Sequence, residues 1–164
     1  MAKVRIKKNN IPKLREEIKK RTRQIANRTF PAVIKDEIIN NNILKGKSPA
    51  QGGGRFKKYS ESYRNAIRSG RFTGKGVTPV NMKLTGEMIK SFFVTNIPNG
   101  FRVGFDDIKA RWHQLGLGKL PERLLLPTKN GKFNRRASKR FNQEIADIVK
   151  KVSRKIKIKR FFGF

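Results

Sequence analysis

Lysine and arginine together number 41 in this chain of 164 residues, against 11 aspartates and glutamates, which leaves a formal net charge of +30. Repulsion on that scale opposes a compact free globule and demands a polyanion close by. The commonest polyanion in a cell or a virus is nucleic acid, bound through its phosphates. Hydrophobic residues make up 36% of the chain, including 12 Phe, so a modest core is within reach while part of the chain is expected to stay extended until assembly. With about 150 residues as a prior for one domain, the length predicts a single domain over 1–164. The chain has no cysteine, which excludes a disulfide framework and Cys-ligated zinc and suits a reducing compartment. Met1 to Asn10 is basic without the apolar stretch of a signal peptide, and no segment approaches the ~20 apolar residues of a membrane span. No membrane partner is expected.

The hydrophobic pattern predicts an α+β fold: a small antiparallel sheet with a hairpin at about 92–105, packed by a long N-terminal helix and a C-terminal helix, with basic extended termini. Residues 1–10 read as a basic arm, and 11–153 as the body. Apolar residues recur near helical spacing at Ile11, Leu14, Ile18 and Ile25, and again at Phe30, Val33, Ile34 and Ile38. Pro31 either opens a second helix or kinks one long helix. Gly-rich loops fall at about 45–57 and 69–80. Between them Ser60 or Ser62 caps a short helix with Tyr59, Tyr63, Ala66 and Ile67 on one face. Thr85 is placed to cap another short helix holding Met88 and Ile89. Phe92–Ile97 and Phe101–Phe105 have strand composition, and Asn99-Gly100 between them is a hairpin signal. The alternation of Phe101, Val103 and Phe105 with Arg102 and Gly104 predicts one buried face. Residues 107–118 read as a helical turn ending in a glycine loop, and 136–153 as the last helix. Residues 154–164 read as a basic, aromatic tail, strand-like at Lys155 to Lys159.

Little in the sequence points to catalysis. His113 is the one histidine, and no nucleophile elbow accompanies it. A partly buried histidine bonded to backbone fits its context better. Asp36-Glu37 and Asp106-Asp107 are neighbours that in a strand face opposite ways. A Mg-dependent nuclease needs carboxylates that converge, and none is legible. The expectation is no enzyme, no metal and no cofactor. Gly52-Gly53-Gly54-Arg55 lacks the spacing of a phosphate-binding loop and reads as a mobile loop. Basic residues crowd at both ends, without a zinc-finger, RRM or KH signature, which points to backbone contact without base readout. The candidate DNA-contact residues are Lys3, Arg5, Lys7, Lys8, Arg55, Lys57, Lys58, Lys150, Lys151, Arg154, Lys155, Lys157, Lys159 and Arg160.

Several blocks then follow in order: Phe56…Tyr59-Ser60…Tyr63…Ile67, Val80-Asn81…Leu84-Thr85-Gly86-Glu87-Met88…Ser91, Val103-Gly104-Phe105, Ala110…His113-Gln114…Gly116, and Leu120-Pro121-Glu122-Arg123…Leu125-Leu126. This series, over about 55–127, resembles the bacteriophage virion-morphogenesis proteins, the tail-completion, minor-tail and head–tail joining (neck) family of tailed phages. The resemblance implies a structural viral protein forming a homo-oligomeric ring, often sixfold with twelvefold as the other option. Such a ring sits in the virion at the head–tail junction, assembles in the host cytoplasm, and lines the path of the double-stranded DNA genome. It implies portal or adaptor and tail-tube or tail-terminator proteins as partners. His113, Pro121, Arg123, Phe161, Phe162 and Phe164 are the candidate assembly-interface residues. Arg123 has two readings, pairing with a neighbour's carboxylate or capping its own domain. The charge is extreme for this family. A non-sequence-specific nucleic-acid-binding protein of ribosomal or nucleoid type is the alternative.

Overall fold

A computed structural model describes residues 11–83, 85–98 and 100–161, with side chains described at 12–83, 85–98 and 100–155. The fold is α+β. Helix α1 (Ile11–Lys35) runs into a π-helical turn (Asp36–Asn40) and a 3₁₀ turn (Ile43–Lys45). Helices α2 (Glu61–Arg68) and α3 (Glu87–Lys90) follow, then strands β1 (Phe92–Ile97) and β2 (Gly100–Phe105), α4 (Ile108–Leu115) and the long α5 (Arg135–Phe161). Contacts gather into two compact units, one from Met1–Phe30 with Asn142–Phe164 and the other Pro31–Phe141.

Within the first unit, Ile148 and Val152 of α5 are buried one turn apart, and Leu14, Ile18, Ile25 and Ala26 of α1 pack against them. The 3.6-residue period places these side chains on one stripe of each helix. Two other apolar residues of α5 face out: Ile145 is 46% and Val149 38% exposed.

The second unit carries the larger core, with buried Ile38, Ile43, Phe56, Met88, Phe92 and Leu125. Asn134 joins its two ends. Its Oδ1 accepts from Ala137 N (2.9 Å), capping α5, while its Nδ2 donates to Ser48 O and Asn42 Oδ1, both at 3.0 Å. The sheet is one antiparallel hairpin with Phe92 opposite Phe105 and Ile97 opposite Gly100. Gly104 is bare because Phe93 lies across it, and a Cβ there would sit 2.5 Å from the ring. The expected buried face is only partly closed, since Phe101, Val103 and Phe105 are all half-buried. Among the described elements α4 packs against β2.

Of the two readings of Pro31, the structure takes the single long helix: Pro31 lies inside α1. Another expectation needs correcting. The strand-like reading of Lys155 to Lys159 fails, because α5 continues to Phe161. No Gly or Pro interrupts the sequence from Arg135 to Phe162, so nothing stops the helix, and Lys propagates helix well. Backbone hydrogen bonds brace the Gly52–Gly54 segment. Ser48 N donates to Gly54 O (2.8 Å), Gln51 N to Lys132 O (2.8 Å) and Phe56 N to Gly46 O (2.8 Å). Gly53 is required there, since a Cβ would meet Ser48 Oγ at 2.2 Å. Ser60 caps α2 as expected, its Oγ accepting from Tyr63 N. Thr85 accepts from Glu87 N at 3.4 Å, although the cap position of α3 is Gly86.

Candidate functional site

The candidate DNA-contact residues fall in three places. Arg55, Lys57 and Lys58 are exposed on the loop before α2, and Lys150, Lys151, Arg154 and Lys155 are exposed on α5. Lys157, Lys159 and Arg160 belong to the described backbone of α5. Lys3, Arg5, Lys7 and Lys8, and likewise Phe162 and Phe164, lie outside the described residues, as does the side chain of Phe161.

Some of the few carboxylates are spent internally. Asp36 and Glu37 do not diverge as strand neighbours would. The π-helical turn brings both onto Arg140, whose guanidinium donates to Glu37 Oε2 at 2.8 Å and to Asp36 Oδ2 at 2.7 Å. Glu37 is fully buried and also takes Asn42 Nδ2 at 3.3 Å. The hydrogen bond from Asn40, then that from Arg140, lowers the Asp36 carboxyl below its ordinary value, while the bond to Glu37 raises Arg140. Glu16–Lys19, Glu17–Arg21 and Glu87–Lys109 are surface pairs of little energetic weight.

The blocks around His113 and Arg123 interlock. Arg123 N donates to His113 O at 2.7 Å. Gln114 Oε1 accepts from Leu125 N (2.7 Å) and Leu126 N (3.0 Å), and its Nε2 returns a bond to Leu126 O (2.9 Å). Gly116 closes α4 with φ 64°, and a Cβ there would come 2.9 Å from Glu122 N. A His-Gln-x-Gly turn and a Pro-x-Arg segment are therefore two halves of one clasp, which explains their residue types without invoking catalysis.

Arg123 is 3% exposed and serves its own unit. Its Nη2 donates to Lys57 O (3.2 Å), and its Nη1 lies 3.4 Å from His113 Nδ1. Its Nε has no hydrogen-bond partner among the described residues. The clasp forms one wall of a pocket of ≈ 470 Å³, whose lining also includes Tyr59, Tyr63, Lys75, Met88, Leu120 and Pro121. Lys75 Nζ stands 5.1 Å from the centre of the Tyr59 ring and Arg123 Cζ 5.7 Å from it, so two cations share one aromatic ring. Lys75 Nζ also donates to Lys83 O. Among the described residues no carboxylate lines this pocket. Its electrostatics follow: burial, then Arg123, then Lys75, depress the His113 imidazole to about 4, so the ring is neutral at pH 7. Burial and Arg123 lower Lys75, while burial raises the Tyr59 phenol.

His113, Pro121 and Arg123 thus line one pocket, and Arg123 bonds within its own unit. Tyr59, within the resemblance, and Lys75 are not among the candidate residues read from the sequence. Lys75 stands alone between Gly74 and Gly76, a weak signal without knowledge of what folds over it. Beside the pocket, α4 presents Ile108, Trp112 and Leu115, which share one helix face at 53%, 45% and 53% exposure. Among the described residues no three His, Asp or Glu side chains gather to hold a metal, and no helix is long and apolar enough to cross a membrane. No family model, curated protein or solved structure matches this chain.

Proposed function

We propose that this chain is a structural assembly subunit of a tailed bacteriophage, a ring-forming neck or tail-completion protein that joins head to tail and lines the DNA path. The observation that carries the reading is the charge. Matching each of the 11 carboxylates with one base leaves 30 cations with no carboxylate in the chain to neutralise them. A ring around duplex DNA uses such a surface for backbone contact with no sequence preference. The exposed apolar face of α4 supports a subunit that packs against others, since apolar faces of this kind mark interaction sites. The ordered blocks over about 55–127 supply the link to the virion-morphogenesis family.

Mass spectrometry of purified particles tests it. The chain is expected in mature virions at about the copy number of a single ring, fractionating with tails or necks and not with capsid shells. A chain abundant in infected cells but missing from particles would leave a nucleic-acid-binding protein of ribosomal or nucleoid type.

A further inference from the structure

The pocket between the His113–Arg123 clasp and the Tyr59–Tyr63 face holds charge that no carboxylate among the described residues balances. We infer that it receives the carboxylate of an acidic, apolar-flanked segment belonging to a different protein. Arg123 is buried with its Nε unpaired, and a buried cation without an anion is a standing cost. Lys75 adds a second half-buried ammonium whose hydrogen bonds among the described residues go to neutral oxygens, Lys83 O and Asn81 Oδ1. All 11 carboxylates lie in described segments and none lines the pocket, so the missing anion is not one of this chain's acidic side chains.

The shape selects the class of anion. A duplex phosphate lies on a stiff cylinder and cannot follow a guanidinium into a recess where it is 3% exposed. A single side chain can. The walls offered by Met82, Met88, Leu120 and Pro121 suit the methylenes and neighbours of a glutamate better than a sugar–phosphate. The volume, ≈ 470 Å³, is that of an ordinary ligand pocket and holds a side chain with its flanks. The apolar face of α4 continues the surface beside Lys109 and His113, both in the pocket wall. A second copy of the chain, itself at +30, is a poor source of the anion, so the occupant is a foreign acidic segment. This deepens the assembly reading by naming what the subunit grips.

His113, as the one histidine, gives a unique ring signal in NMR. The full chain is titrated with acetyl-Leu-Glu-Phe-amide, with its Gln counterpart, with inorganic phosphate and with a short DNA duplex. The Glu peptide is expected to shift the His113 ring and the Arg123 Nε–H signals and to raise the ring's pKa from about 4. It is expected to bind about tenfold tighter than the Gln peptide, a difference of ~1.4 kcal/mol. Lys75→Gln, on a loop and outside the clasp, is expected to weaken the Glu peptide about fivefold, as loss of one charge-assisted bond would. Arg123→Lys serves as a second variant if it folds. Equal binding of both peptides, shifts caused by phosphate or duplex but not by the Glu peptide, or a silent His113 signal would each overturn the proposal. A silent titration with the chain present in virions removes the pocket's role alone. A responsive pocket with the chain absent from virions removes the neck reading alone.

Discussion

At the scale of single residues, two buried polar groups carry most of what can be tested. Glu37 is fully buried against Arg140 and Arg136. Arg140 keeps Asp36 and is partly exposed, so Glu37→Ala strands no buried cation; losing the buried bonds to Arg140 and Asn42 is expected to cost about 2 kcal/mol in urea unfolding. Asp36→Asn, at the solvent edge of the same network, is expected to cost about 1 kcal/mol or less. Equal costs would mean that burial of Glu37 contributes nothing special. His113 provides a pH signature. Its folded value of about 4 lies below the ordinary 6.5, so between those limits the unfolded chain binds a proton that the native ring refuses. Stability is therefore fully present above pH 6.5 and falls as pH drops toward 4, the facing groups being Arg123, Lys75 and Tyr59. His113→Gln is expected to flatten the part of the slope that belongs to the ring. Parallel wild-type and variant curves through that window would refute it. The lowered Asp36 acts in a separate window, below its ordinary 3.8. The partial burial of His113 is legible in the sequence, but the ring meets Lys75 only through the fold, and Asp36-Glu37 reads as two divergent neighbours until the π-helical turn is known.

At the scale of elements, local signals were read well and long-range ones poorly. The hairpin was legible because a strand pair joined by two residues is settled by alternation and by Asn99-Gly100, all within 14 residues of sequence. The Ser60 cap is equally local. The Lys-Ile-Lys-Ile-Lys tail misled because a period of two was weighed above the lack of any helix breaker upstream. Pro31 left two readings open, and only the fold selects the single long helix. The clasp was visible as motifs but not as a contact. Its packing is tested by two glycines that share a left-handed backbone. Gly116 and Gly118 have φ 64° and 66°, yet a Cβ at Gly116 would press on Glu122 while one at Gly118 meets nothing within 4 Å. Gly116→Ala is expected to destabilise by about 1–3 kcal/mol more than Gly118→Ala, the excess being the cost of overpacking. Equal losses would show that the clasp does not close on α4.

At the scale of the whole molecule, the charge is the constraint from which the account starts. Bound to random-sequence duplex DNA, the chain is expected to lose affinity steeply with salt, with a log–log slope beyond about −4, or more than about four phosphates at ~0.9 each. Replacing Lys150, Lys151, Arg154 and Lys155 by Gln is expected to flatten that slope without changing base preference. A shallow slope would assign the charge to an acidic protein neighbour instead of DNA. The most direct measurement is electron microscopy of lysates from a phage whose copy of this gene carries an early stop codon. The account predicts filled heads beside separate tails, complete or overlong. Normal joined particles would contradict it.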